Sequence, residues 1–112
     1  MDVTFSNKSL FTLCTNEKKR ARKLGHQRAE ELKIALDELH AATNLAEIAS
    51  LPHRRLHGLK GDQTGRYSID IDKQYRIWFE ISDDEELRNA DGSLDFSEVT
   101  AINITRIGDP HD

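Results

Sequence analysis

Cysteine, proline, methionine and tryptophan are scarce: the 112 residues contain one, two, one and one of them. A single thiol, Cys14, excludes an internal disulfide and cannot build a thiolate metal site. It lies between Leu13 and Thr15 in an apolar run, which predicts a buried structural cysteine. No stretch approaches the roughly 20 apolar residues that a membrane-spanning helix needs. Asn7, Lys8 and Ser9 break the first apolar segment, so no signal-peptide core is expected and the expected location is the cytoplasm. His26, His40, His53, His57 and His111 lack zinc-finger spacing. The segment Lys60-Gly-Asp-Gln-Thr-Gly65 lacks the G-x-x-x-x-G-K-[ST] order of a nucleotide loop. The acidic residues at 83–86, with Asp91 and Asp95, lack the spacing of an EF-hand. No nucleophile–base spacing suggests a protease or esterase, and no recognition-helix pattern suggests direct DNA binding. Neither a metal nor a cofactor is expected.

Charge, by contrast, is plentiful and uneven. With 37% hydrophobic and 32% charged residues, the chain reads as one soluble globular domain over 1–112. Its net charge of −4 conceals a division. Residues 1–80 hold 14 Lys/Arg against 11 Asp/Glu, and residues 81–112 hold 2 against 9. A partner with phosphates is gripped by local positive charge, not by the total, so the basic part is free to serve such a partner. The acidic end reads as a solvated surface.

The periodicity changes along the chain. Val3-Thr4-Phe5 predicts a short strand, and Asn7 predicts the N-cap of a helix carrying Leu10, Phe11 and Leu13. A basic run follows (Lys18, Lys19, Arg20, Arg22, Lys23, Arg28), interrupted by Gly25. From Arg28 to Ala42, Ala29, Leu32, Leu36 and Leu39 form one helical stripe. Asn44-Leu-Ala-Glu47 predicts a capping box, and Pro52 ends that turn. Beyond Pro52 the period becomes two. Tyr67, Ile69 and Ile71 alternate with polar residues, as do Tyr75, Ile77, Phe79 and Ile81, with a tight turn near Asp72-Lys73. An acidic loop is expected over about 82–97. Val99, Ile102, Ile104 and Ile107 then supply a last strand whose parity fails, so it is either covered on both faces or bulged.

One segment carries a specific resemblance. The string Arg55-Leu56-His57-Gly58-Leu59-Lys60-Gly61-Asp62, then Gly65, an aromatic and Ser68-Ile69, then Tyr75-Arg76-Ile77, resembles the HigB "plasmid maintenance killer" branch of the RelE/ParE toxin superfamily. The resemblance covers roughly residues 1–81. It implies an α+β fold in which an N-terminal strand and two helices pack on a small, mainly antiparallel sheet. It also implies the toxin of a type II toxin–antitoxin system, a ribosome-dependent endonuclease that cleaves mRNA without a metal. The implied partners are a HigA-like helix-turn-helix antitoxin, the ribosome and mRNA, with operator DNA reached only through the antitoxin and no membrane contact.

The resemblance places His57 and Lys60 on the family's functional pair and Arg76 on the strand arginine that holds the scissile phosphate. These types suit the chemistry: histidine moves protons near neutrality, and lysine and arginine carry fixed positive charge. Tyr75 and Ile77 point to the other face, so Arg76 is expected to leave the core, with Arg66 and Trp78 on its side. Trp78 is expected either to stack a base or to pack against protein. Arg54 and Arg55 are expected either to contact backbone phosphates or merely to flank the strand. The tail departs from the family pattern, in which the last strand ends in an Asp-Tyr-His-like sequence. With Val99 as anchor, Ile104 and Thr105 fill the Tyr-His places. With the chain end as anchor, Asp109-Pro110-His111 replaces the motif and His111 supplies the second acid or base, exposed and poorly fixed. The alternative to an enzyme is a catalytically weakened module that binds antitoxin, ribosome or RNA.

Overall fold

The computed structural model describes residues 1–59, 65–81 and 87–112. Lys60 and the first part of the expected acidic loop therefore lie outside the described residues. Strand β1 (Asp2–Phe5) leads into α1 (Lys8–Thr15), whose N-cap Asn7 accepts a hydrogen bond from the Leu10 amide. Helix α2 (Glu17–Leu24) ends at Gly25, which takes φ 81°. That left-handed conformation, inexpensive only for glycine, lets α3 (His26–Ala41) start afresh in a new direction. The stripe Ala29, Leu32, Leu36 and Leu39 is buried as its spacing predicts, although α3 begins two residues earlier. Helix α4 (Leu45–Ala49) is capped by Asn44, and a 3-10 turn at Pro52–Arg54 follows. Among the described residues there are four α-helices, two more than the resemblance names.

The sheet comprises β1, β2 (His57–Gly58), β3 (Arg66–Asp70), β4 (Arg76–Glu80) and β5 (Ala101–Gly108), in the order β1-β5-β4-β3-β2. Only β1 and β5 are parallel. The turn between β3 and β4 forms where the alternation breaks: the Asp72 carboxylate accepts from the Gln74 and Tyr75 amides at 2.9 and 2.7 Å. In the acidic loop, Arg88 and Leu94 form an isolated antiparallel bridge, and a 3-10 turn occupies Phe96–Glu98.

One face of the sheet meets the helices. Ile69, Ile71, Ile77, Phe79, Ile102 and Ile104 join Leu32, Leu36, Leu39, Leu45 and Ile48 in a single core, with Tyr75 packed at its margin. Cys14 lies partly buried beside that core, and burial pushes its thiol up to about 12 despite nearby Arg20. It is therefore a neutral, structural thiol at physiological pH. The parity problem of the last strand resolves into a bulge: Phe79 pairs with Ile104, whereas Trp78 pairs with Arg106. The extra residue lets Ile104 and Ile107 both serve the core side and turns Arg106 outward.

Candidate functional site

Among the described residues no helix covers the second face of the same sheet, and the registers assemble it row by row. His57, Ser68, Trp78 and Arg106 face one another across β2, β3, β4 and β5. Asp70 and Arg76 form the neighbouring row on one side, and Arg66 and Glu80 the row on the other. A shallow depression runs over this face, bordered by Arg66, Arg76, Trp78, Thr105, Arg106 and Pro110.

His57 is held at both nitrogens. Its Nδ1 lies 3.0 Å from the Arg55 carbonyl and its Nε2 lies 3.2 Å from the Ser68 hydroxyl. A carbonyl only accepts, so the neutral ring carries its proton on Nδ1 and Nε2 accepts from Ser68. Ser68 is fully buried, which makes it a support for the ring and excludes it as a nucleophile. Arg55 adopts a left-handed conformation (φ 46°), costing about 1–2 kcal/mol for a side-chain-bearing residue. That bend turns the chain out of the 3-10 turn and into β2, bringing the His57 ring over the sheet.

The cations of this face are countered internally. Arg76 Nε lies 3.3 Å from Asp70 Oδ1, and Arg55 Nε lies 3.8 Å from Asp70 Oδ2. Asp70 is 14% exposed, so one shielded carboxylate bridges two arginines. Exposed Arg66 pairs with half-buried Glu80 at 2.9 Å. Arg106 lies 4.4 Å above the Trp78 ring and donates to the carbonyls of Asp109 and Asp112 at 2.8 and 3.3 Å. The Arg66–Glu80 pair lies at a wet surface, where such pairs are worth about 0–1 kcal/mol, so an incoming phosphate can displace Glu80.

Three of the expected site residues take up more closely defined positions. Arg54 points inward: the residue is 3% exposed, and its guanidinium donates to Glu38 at 2.6 Å and to the Asp70 carbonyl at 3.0 Å. It ties α3 to the end of β3, and its hydrogen bond holds the Glu38 carboxyl below the usual range. Trp78 lies on the open face and packs against protein, covered by Arg106; the residue is 9% exposed, and its ring is open to a stacking base only if Arg106 moves. The tail is pinned more firmly than a chain end suggests. Asp109 is buried, accepting from the His111 amide at 2.8 Å and from the Gln74 side chain at 2.9 Å. The His111 amide, then the Gln74 amide, hold the Asp109 carboxyl below its ordinary value. The His111 ring is exposed and makes no hydrogen bond with a described residue.

Arg106, Asp70 and Ser68 are site residues that sequence reasoning misses. Simple alternation from Ile102 and Ile104 sends residue 106 into the core, and only the bulge reverses it. Asp70 and Ser68 do alternate with Ile69 and Ile71, so their face was legible although their contacts were not.

An α+β fold with a mostly antiparallel five-stranded sheet is shared with the RelE-like toxin structures, and comparison places the chain among those toxins. A family profile described as "RelE-like toxin of type II toxin-antitoxin system HigB" matches residues 3–92. The chain belongs to this family, the RelE-like HigB toxins of type II toxin–antitoxin systems. Similar solved structures include YafQ from Escherichia coli (14% identity, 98% of this chain and 93% of that one, TM-score 0.59). Another is a YoeB/ParE toxin from Agrobacterium tumefaciens (12% identity, 97% and 98% covered, TM-score 0.52). A third is found in the YoeB–YefM complex from Staphylococcus aureus (16% identity, 96% and 94% covered, TM-score 0.53). At these identities the likeness is one of fold. No curated protein sequence matches the chain. The family match stops before β5, so assignments on β5 and the tail rest on geometry.

Proposed function

We propose that this toxin is a ribosome-dependent mRNA endonuclease working without a metal, and that the open sheet face is its active site. The observation that carries the reading is the convergence of Arg76, Arg66, Arg106 and His57 on one face of a rigid sheet. In this reaction the 2′-OH of the RNA attacks the adjacent phosphorus. The bond to the 5′-oxygen breaks, leaving a 2′,3′-cyclic phosphate and a 5′-hydroxyl. One group removes the 2′-proton, another protonates the leaving oxygen, and fixed cations stabilise the extra charge on the phosphate oxygens.

Arg76 and Arg106 are the cations assigned to the phosphate, with Asp70 and the tail carbonyls giving them up on binding. His57 and His111 are the proton-transfer candidates. Lys60 is assigned to the same group by the family motif. Arg66 and Arg55 hold the flanking backbone, and Trp78 receives a base if Arg106 swings onto phosphate. A HigA-like helix-turn-helix antitoxin would hold the toxin inactive in the cytoplasm and link it to operator DNA. Supporting this partner, the similar YafQ and YoeB structures include complexes of those toxins with DinJ and YefM. Among the described residues no helix is long and apolar enough to cross a membrane.

Primer extension on a translated mRNA, with and without the protein, tests the reading. Cleavage that needs ribosomes and survives EDTA is expected. Removing residues 109–112 should lower it by about 10²–10⁴-fold, the usual worth of general acid–base catalysis, with ribosome affinity nearly unchanged. Ribosome binding without cleavage by the intact protein would instead support a binding module. The internal pairing of the cations and the absence of the family's tail tyrosine are the observations on that side.

A further inference from the structure

We propose that the α1–α2 hairpin carries a second anion-binding surface, one that grips the phosphodiester backbone of structured RNA away from the cleavage face. Helix α2 turns Arg20, Ala21 and Leu24 inward and Lys18, Lys19, Arg22 and Lys23 outward. The outward four form two adjacent rows, Lys18 with Arg22 and Lys19 with Lys23, each spaced i, i+4. Lys8, on the first turn of α1, lies with Lys19 and Lys23 around a depression that also exposes the hydroxyl-bearing Ser9 and Thr12.

Pairing separates these cations from the others. Arg28, Lys33, Arg54, Arg55, Arg66 and Arg76 each face a carboxylate. Among the described residues none faces Lys8, Lys18, Lys19, Arg22 or Lys23, all exposed, within ion-pair distance. Five unopposed positive charges lie together on a chain whose net charge is −4.

The array is also rigidly mounted. Arg20 is 5% exposed, and its guanidinium donates to the carbonyls of Leu13 and Cys14, closing the last turn of α1. The Asn16 side chain accepts from the Lys19 amide and caps α2. A buried arginine and a cap thus fix the angle between the helices, and with it the spacing of the lysines. Preorganised charge loses less entropy on binding than charge on a loose tail.

The chemistry favours RNA over protein. The cores of protein interfaces are apolar, whereas the depression between Lys8, Lys19 and Lys23 is lined by cations, hydroxyls and a buried leucine, the exposed Phe11 lying in the neighbouring depression on the far side of Lys8. Phosphate contacts need nothing more than cations and donors, and they carry no sequence preference. The hairpin packs against α3 and on the helix side of the sheet, opposite the open face. A partner touching both surfaces must therefore be large, as ribosomal RNA is, and this last step alone rests on the proposed function.

The test is a salt series of binding to a short A-form RNA duplex and to bacterial ribosomes. The intact protein is compared with a variant carrying Lys18→Ala, Lys19→Ala and Lys23→Ala. The slope of log K against log salt should become shallower by about three, roughly one per cation removed. Arginine at the same three positions should restore it, and the thermal midpoint should not move. An unchanged slope on both RNAs overturns the proposal. Weakened binding to an antitoxin or to polyglutamate, with RNA binding intact, overturns it too and gives the surface to an acidic protein. Cleavage is not read in this assay, so a protein that binds with the expected slope and cuts nothing would defeat the nuclease reading while leaving this surface in place.

Discussion

The two faces of this sheet are built from the same strands yet obey different rules. On β4, Ile77 and Phe79 have no exposure and lie within the apolar core, whereas Arg76 and Glu80 on either side of them meet a carboxylate and a guanidinium. The first face is held by dispersion and the hydrophobic effect, which reward filling space and tolerate no exchange of partners. The second is held by ion pairs at or near the surface, the most exposed of them, Arg66–Glu80, weak and replaceable by any group of the right sign. A surface of exchangeable pairs is what a phosphate-binding site needs before its ligand arrives.

Adjacent substitutions on β4 test this contrast most directly. Phe79→Ala should lower stability by about 3–5 kcal/mol in urea denaturation, because the cavity cannot refill. Glu80→Ala, one residue on, should change it by less than about 1 kcal/mol. Similar losses at both positions would mean that the open face is structural. Arg76→Ala comes next in size. It should leave the denaturation midpoint nearly unchanged while cleavage falls roughly 10²–10³-fold, the loss of one oriented donor. Full activity in that variant would remove Arg76 from the site.

Arg54 lies where the two faces meet and should behave as a core residue. Arg54→Met leaves the Glu38 carboxylate with only His53 beside it, at 3.5 Å, and removes a donor from the carbonyls of Asp70 and Ile71, so a loss of about 1–3 kcal/mol is expected at neutral pH. The pH dependence has a defined sign. Because the folded Glu38 carboxyl is held below its ordinary value, its contribution is present above the usual glutamate range and fades as pH falls through the folded value. The variant's stability should therefore fall less steeply in acid than that of the intact protein. The smallest effect is assigned to Gln74→Ala, which removes one of the two restraints on Asp109. Stability should change by about 0.5–1.5 kcal/mol. NMR titration should show the Asp109 carboxyl moving up towards its ordinary value. No movement would mean that the His111 amide alone holds it.

The apolar stripe of α3, the alternation of β3 and β4, the caps at Asn7 and Asn44 and the turn at Asp72 were all legible because each is a local pattern. The family motif around His57 and Arg76 was legible for the same reason. Less legible were positions whose role depends on a distant partner. Arg54 and Arg55 are neighbours of one type, yet one is buried against Glu38 and the other is exposed beside Asp70. Their separation follows from the 3-10 turn and the left-handed Arg55, and neither leaves a mark in composition.

By itself the sequence determined the α+β class, the core-facing residues, the family and the outward direction of Arg76, since periods of 3.6 and 2 fix which side chains share a face. Tertiary structure alone decided that Arg106 belongs to the open face, that Trp78 is covered, and that Asp109 anchors the tail. The reason is the bulge in β5. One extra residue inverts the facing of everything beyond it, and whether a strand takes up that residue depends on the partner against which it must pair.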